Sequence, residues 1–186
     1  MTIKKLNKKI LIPICIMAVI SIVTIYSALT YTSSELGNLA LKQGLWYLIG
    51  VCLVVFLIHM KNEYLYRHTV FLYIFGNILL LGLSVSAAPV NNSKCWFTTP
   101  RIGSIQPSEF MKIFLMLMLA TMIHNFRSDY KNPSIKQEFI FILKTLGIVS
   151  IPSILTFLQP DTGAVIIYLI IYFCMLFISG IRLRWF

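Results

Sequence analysis

Charge is scarce in this chain. Only 12% of its 186 residues are Asp, Glu, Lys or Arg, and only six of them are acidic, where a soluble domain carries about 25% charged residues. The same chain is 58% hydrophobic before glycine is counted, above the roughly 45 to 50% of a soluble domain with glycine included. Together the two figures exclude a soluble fold, which has too little interior to bury that much apolar surface. Cysteine is also sparse, at four residues. Cys15, Cys52 and Cys174 lie inside apolar runs and only Cys95 lies in a loop. That distribution lacks the ligand spacing of a zinc site and the density of a disulfide framework, so the cysteines read as small core hydrophobes, with no metal and no cofactor expected. Internal repeats and low-complexity tracts are missing too.

What is present is a series of long uncharged runs. A helix needs about 20 largely apolar residues to cross about 30 Å of hydrocarbon, and the sequence offers about six such spans, near 10–31, 43–60, 69–88, 107–126, 139–158 and 162–181. The expected fold is an all-α polytopic membrane protein over residues 1–186. The first run, Ile10 to Ser34, is longer than a signal-peptide core and no small-residue cleavage site follows it, so it reads as an uncleaved span. Pro89 with Asn91, Asn92 and Ser93 marks the exit from the third. Spans four and five carry Glu109, Lys112 and Lys144 near their starts.

A net charge of +10 would suggest nucleic acid in a soluble protein, but here the cations fall in every second loop. With the N-terminus in the cytoplasm, Lys4, Lys5, Lys8, Lys9, Lys61, Arg67, Arg127, Lys131, Lys136, Arg182 and Arg184 are inside, and only Lys42, Lys94 and Arg101 are outside. That asymmetry places both termini in the cytoplasm. The basicity reports orientation in a membrane, with lipid as the neighbour and no nucleic-acid partner. His59, His68 and His124 lie near inner membrane edges without a carboxylate or serine at useful spacing, and Lys144 is placed to snorkel to the interface.

This orientation leaves two irregular segments outside, a loop from Pro89 to Ser108 and a corner at Gln159-Pro160-Asp161. Loops on a rigid scaffold are where function concentrates. Pro107 suits the first position of span four, where its missing N–H would be unpaired anyway, and Glu109 then sits at the positive end of the helix dipole. Lys112 follows three residues later on the same face and can pair with Glu109. Two roles fit that pair: a structural ion pair, or a functional one, since charges within a span face the bundle interior or an aqueous cavity. Asp161 is a good N-cap for span six, able to accept the N–H groups of Gly163 and Ala164. It also stands at the mouth of the bundle, where it could hold a cation or a sugar hydroxyl. Trp96 is an interfacial anchor or an aromatic platform, and Arg101 and Lys94 are the outer cations able to bind phosphate.

The stretch Lys94-Cys95-Trp96-Phe97, then Gly103-Ser104-Ile105-Gln106-Pro107-Ser108-Glu109-Phe110-Met111-Lys112, and the later Leu158-Gln159-Pro160-Asp161-Thr162-Gly163 resemble the signature of the RodA/FtsW/SpoVE (SEDS) family of cell-wall proteins. The wording Gly-Ser-Ile-Gln-Pro-Ser-Glu-Phe resembles RodA of Gram-positive bacteria more than FtsW. The resemblance implies a peptidoglycan glycosyltransferase of the bacterial cytoplasmic membrane that polymerises lipid II at the outer face, in cell-wall synthesis and cell-shape control, working with a class B penicillin-binding protein. It assigns substrate binding to Trp96, Arg101, Glu109, Lys112 and Asp161. Members of the family have about ten spans, and the aspartate thought to act as base lies in an outer loop after the sixth. The chain ends before that point, so it resembles an N-terminal half with no catalytic residue of its own, and the expectation is that it does not polymerise lipid II alone. Two other readings stand beside this one: a flippase for lipid-linked precursors, because Pro-broken corners and polar pairs within spans also build transporter sites, and a non-catalytic scaffold for a penicillin-binding protein.

Overall fold

The structure, a computed structural model, describes residues 7–30, 38–86, 95–99 and 103–186. Among these residues are six α-helices: α1 (Lys8–Thr30), α2 (Asn38–His59), α3 (Asn62–Ser86), α4 (Pro107–Asp129), α5 (Ile135–Phe157) and α6 (Thr162–Ile178). Five of them are long and apolar enough to cross a membrane, and α6 is a shorter apolar helix of 17 residues, at the lower limit of what a span needs. The chain is an all-α polytopic membrane protein. One feature that the hydropathy pattern does not carry is a small antiparallel hairpin between α3 and α4, in which β1 (Phe97–Thr99) pairs with β2 (Gly103–Ile105) in the register Phe97 to Ile105.

The chain divides into two compact units, Met1–Asn62 and Glu63–Phe186. In the first, α1 and α2 pair as a helical hairpin, and Gln43 Nε2 donates to Ser21 Oγ at 3.5 Å across it. None of the described residues of α1 or α2 is buried. Lipid is as apolar as leucine, so helices meet in a membrane through packing and polar contacts, with no hydrophobic drive between them.

The second unit has a real interior. Buried residues recur every three or four positions: Met111, Leu115 and Leu119 on α4; Phe141, Thr145, Val149, Pro152 and Thr156 on α5; Ala164, Tyr168, Tyr172 and Leu176 on α6. Each set is one helical face, and the three faces close on one another with Tyr73 and Leu80 of α3. Gly76 lets α3 and α4 approach closely, since a Cβ there would lie 2.6 Å from Met111 Sδ and 2.9 Å from Phe114 Cδ2. Pro152, inside α5, has no N–H to give to the carbonyl of Ile148 one turn earlier. The hydroxyl of Tyr73 supplies the missing donor, at 2.8 Å. Freed carbonyls in membrane helices need such partners because no water reaches them.

The far end of this unit is knit by cations. Ser134 and Gln137 form a reciprocal capping box at the start of α5. The carboxylate of Glu138, 1% exposed, accepts from Trp185 Nε1 at 2.8 Å and lies 3.5 Å from Arg182 Nε. Arg127 Nε donates to the carbonyl of Ser179 at 2.6 Å. Gly180 follows with a φ of 70°, the left-handed conformation at which α6 stops, and a Cβ there would lie 2.5 Å from Arg127 Nη2. Arg182, counted among the inner cations in the sequence, therefore also neutralises a buried acid. The reading of the cysteines as core residues is corrected in part: Cys95, the loop cysteine, is buried, whereas Cys15, Cys52 and Cys174 are exposed on their helices.

Candidate functional site

At the opposite end of the second unit, the two proline motifs meet. Gln106 is the N-cap of α4 and Pro107 its first residue. The Gln106 side chain does not cap its own helix. Its Nε2 donates instead to Asp161 Oδ2 at 2.7 Å, and Ser108 Oγ donates to the same oxygen at 2.9 Å. The other oxygen, Oδ1, accepts the N–H of Ala164 at 3.2 Å, the N-cap bond of α6. Asp161 thus caps one helix and clamps the start of another with three donors, which is the pattern that satisfies a partly buried carboxylate.

The neighbouring residues extend the clamp. Gln159 is 2% exposed; its Nε2 donates to Leu80 O at 2.6 Å and to Ser84 Oγ at 3.2 Å, and its carbonyl accepts from Cys95 Sγ at 2.9 Å. Tyr168, fully buried, donates its hydroxyl to the carbonyl of Ser108 at 3.1 Å. Corner, hairpin loop and three helices are fixed to one another before any ligand arrives.

Glu109 and Lys112 stand on this platform. Lys112 Nζ lies 2.7 Å from both carboxylate oxygens of Glu109. The lysine side chain is 18% exposed and the glutamate side chain 57%. The cation is therefore set into the protein and the acid turned outward, so an entering anion would compete with Glu109 for Lys112. Trp96 is exposed beside buried Cys95, and no hydrogen bond joins its indole to the described residues. Arg101 lies outside the described residues, as does Lys94. Next to the start of α4, an apolar cavity of about 320 Å³ opens between Phe75 and Leu79 of α3, Phe97 and Ile105 of the hairpin, and Phe110 and Phe114 of α4.

Of the five candidate ligands, the structure joins Glu109 to Lys112 and sets Asp161 against Gln106 and Ser108, the two polar residues that flank Pro107. Gln106, Ser108, Gln159 and Tyr168 were not singled out as functional from sequence. The signal available for the glutamines was position: each precedes a proline at a helix boundary, where a polar side chain needs a partner.

These features define a multi-pass membrane protein whose two proline-led motifs are locked together at one end of a helical bundle. Residues 8–186 match the FtsW/RodA/SpoVE family, described as cell cycle proteins, and the chain belongs to that family. It is 26% identical to a probable peptidoglycan glycosyltransferase FtsW of Lactococcus lactis over 97% of the chain and 48% of the relative. To the peptidoglycan glycosyltransferase MrdB of Helicobacter pylori it is 30% identical, over 89% of the chain and 42% of the relative. The peptidoglycan glycosyltransferase RodA of Treponema pallidum is 34% identical over 77% of the chain and 31% of its own length. The chain spans less than half the length of each of these curated relatives. In fold it resembles the crystal structure of the rod shape determining protein RodA of Thermus thermophilus, with a TM-score of 0.77 at 20% identity, covering 96% of this chain and 55% of that one. A structure described as a peptidoglycan synthase complex that coordinates polymerization and crosslinking is similar at a TM-score of 0.69 and 23% identity, covering 91% and 48%.

Proposed function

We infer that this chain forms the part of a peptidoglycan glycosyltransferase that receives the lipid-linked donor, lipid II, at the outer face of the bacterial cytoplasmic membrane. The observation that carries this reading is the joining of Gln106, Ser108 and Asp161 directly beside the Glu109–Lys112 pair. Transfer of a sugar from a lipid diphosphate needs cations that hold the leaving diphosphate in a fixed position. Lys112, with Arg101 from the neighbouring loop, supplies them; Glu109 keeps the ammonium oriented until the diphosphate displaces it. Asp161 fixes the first turn of α4 and with it the height of Lys112. The apolar cavity lies where the first isoprene units attached to the diphosphate would enter, and Trp96 offers a face to the sugars. The relatives named as peptidoglycan glycosyltransferases support the reaction class. The likeness to the peptidoglycan synthase complex supports a class B penicillin-binding protein as partner.

The test is binding of fluorescent lipid II to the chain reconstituted in phosphatidylcholine nanodiscs. Loss of a charge-assisted contact in Lys112→Met weakens binding by about tenfold or more, and Lys112→Arg retains it. Equal binding by a Lys112→Met protein of unchanged thermal stability overturns the reading. Translocation of lipid II across vesicles by the chain would replace it with the transporter.

A further inference from the structure

A second cavity lies at the other end of the same unit, and no step proposed above uses it. It measures about 320 Å³ and is set between the last turns of α4 and the first turns of α5. Phe126 and Phe141, stacked at 4.2 Å, form part of its apolar wall, and Asn125, Asp129, Gln137 and Lys144 give it a polar lining. That volume is well above the few tens of Å³ that hold one water.

Lys144 is the feature that needs a partner. It sits nine residues into α5, roughly 13 Å along the helix from Ile135. Among the described residues it has no ion pair and no hydrogen bond, although it lines the cavity. Lys144 is exposed on the protein surface inside the expected span 139–158, where a charged side chain is costly unless its ammonium reaches the interface or finds a counter-charge. The nearest candidates inside the protein are otherwise engaged or too far: Glu138 is held by Arg182 and Trp185, and Asp129, on the cavity lining, makes no ion pair with Lys144 within 4.0 Å. The surroundings favour an anion. This end of the unit carries Arg67, Arg127, Lys131, Lys136, Arg182 and Arg184 against Glu63, Asp129 and Glu138.

We propose that this cavity binds the phosphate headgroup of an anionic membrane phospholipid, with Lys144 as the phosphate ligand. Basic pockets between membrane helices are suited to such headgroups because the lipid delivers the phosphate at the depth where a snorkelling ammonium ends. Asn125 already accepts from the hydroxyl of Tyr66 and Gln137 accepts the N–H of Ser134, which leaves their amide N–H groups without a partner among the described residues. Asp129 opposes the anion and so limits affinity. The inference depends on the chain's place in a membrane and on neither its orientation nor the lipid II reading.

The experiment is native mass spectrometry of the chain released from nanodiscs of equal parts phosphatidylglycerol and phosphatidylcholine. The wild type retains phosphatidylglycerol; Lys144→Met retains about tenfold less, Lys144→Arg retains it, and Asp129→Asn retains as much or more. Thermal stability in detergent shows whether each variant is folded. Equal retention by folded Lys144→Met and wild type overturns the proposal. So does a drop in Asp129→Asn matching that in Lys144→Met, which would make Asp129 the true partner. Displacement of the lipid by millimolar glycerol phosphate would identify a soluble phosphate as the ligand and overturn the lipid assignment.

Discussion

Asp161 uses both carboxylate oxygens on partners from two helices. Replacing it with alanine removes an N-cap and strands two donors, one of them on buried Ser108, at a combined cost of about 2 to 3 kcal/mol. Asp161→Asn keeps one acceptor oxygen and should lose less; unfolding in detergent followed by circular dichroism measures both. The Glu109–Lys112 pair behaves differently. Its acid is largely exposed, so Glu109→Gln should change stability by less than about 1 kcal/mol while changing lipid II binding measurably, and equal stability with equal binding would leave the pair without function. The spacing of Glu109 to Lys112 and the cap at Asp161 were legible in the sequence because each is settled within one helical turn. The bonds from Gln106 and Ser108 were not, because their common acceptor is more than fifty positions away and no local pattern encodes that meeting.

Among the helices, α5 shows how a defect in one element is repaired by another. Tyr73→Phe leaves the Ile148 carbonyl without a donor beside Pro152 and should destabilise the second unit by about 1 to 3 kcal/mol. Pro152→Ala restores the backbone N–H, so the double variant should recover most of the loss. Additive losses in the double-mutant cycle would show that the hydroxyl serves no such repair. Gly76→Ala should cost about 1 to 3 kcal/mol by forcing Met111 and Phe114 aside, with partial recovery in Met111→Ala, read by the same unfolding transition. Hydropathy marks apolar runs, and helices run past them: α2 begins at Asn38, before Lys42, and α3 begins at Asn62, carrying Glu63, Arg67 and His68. Charged residues at a membrane edge are good helix formers, so charge alone does not mark where a helix starts. The three-residue strands of the hairpin are too short to show a period.

For the molecule as a whole, function turns on which side of the membrane each end of the bundle faces. The hydrogen bond from Tyr66 to Asn125 sets α3 antiparallel to α4, and those from Arg127 to Ser179 and Ser108 to Asp161 set α6 parallel to α4, so the motif end and the basic end lie at opposite ends of the second unit. The charge asymmetry of the sequence predicts the basic end in the cytoplasm and the proposed donor site outside. Cys95 is buried and unsuited to labelling. Exposed Ser104 in β2 and exposed Asn132 between α4 and α5 mark the two surfaces instead. The direct measurement uses single cysteines at these two positions, in a chain whose natural cysteines are replaced and Cys95 changed to Ser to keep its donor. A membrane-impermeant maleimide is applied to intact cells. The Ser104→Cys chain should label in intact cells and the Asn132→Cys chain only after permeabilisation. The opposite result would put Lys112 and Asp161 on the cytoplasmic side and contradict the proposed site of lipid II binding.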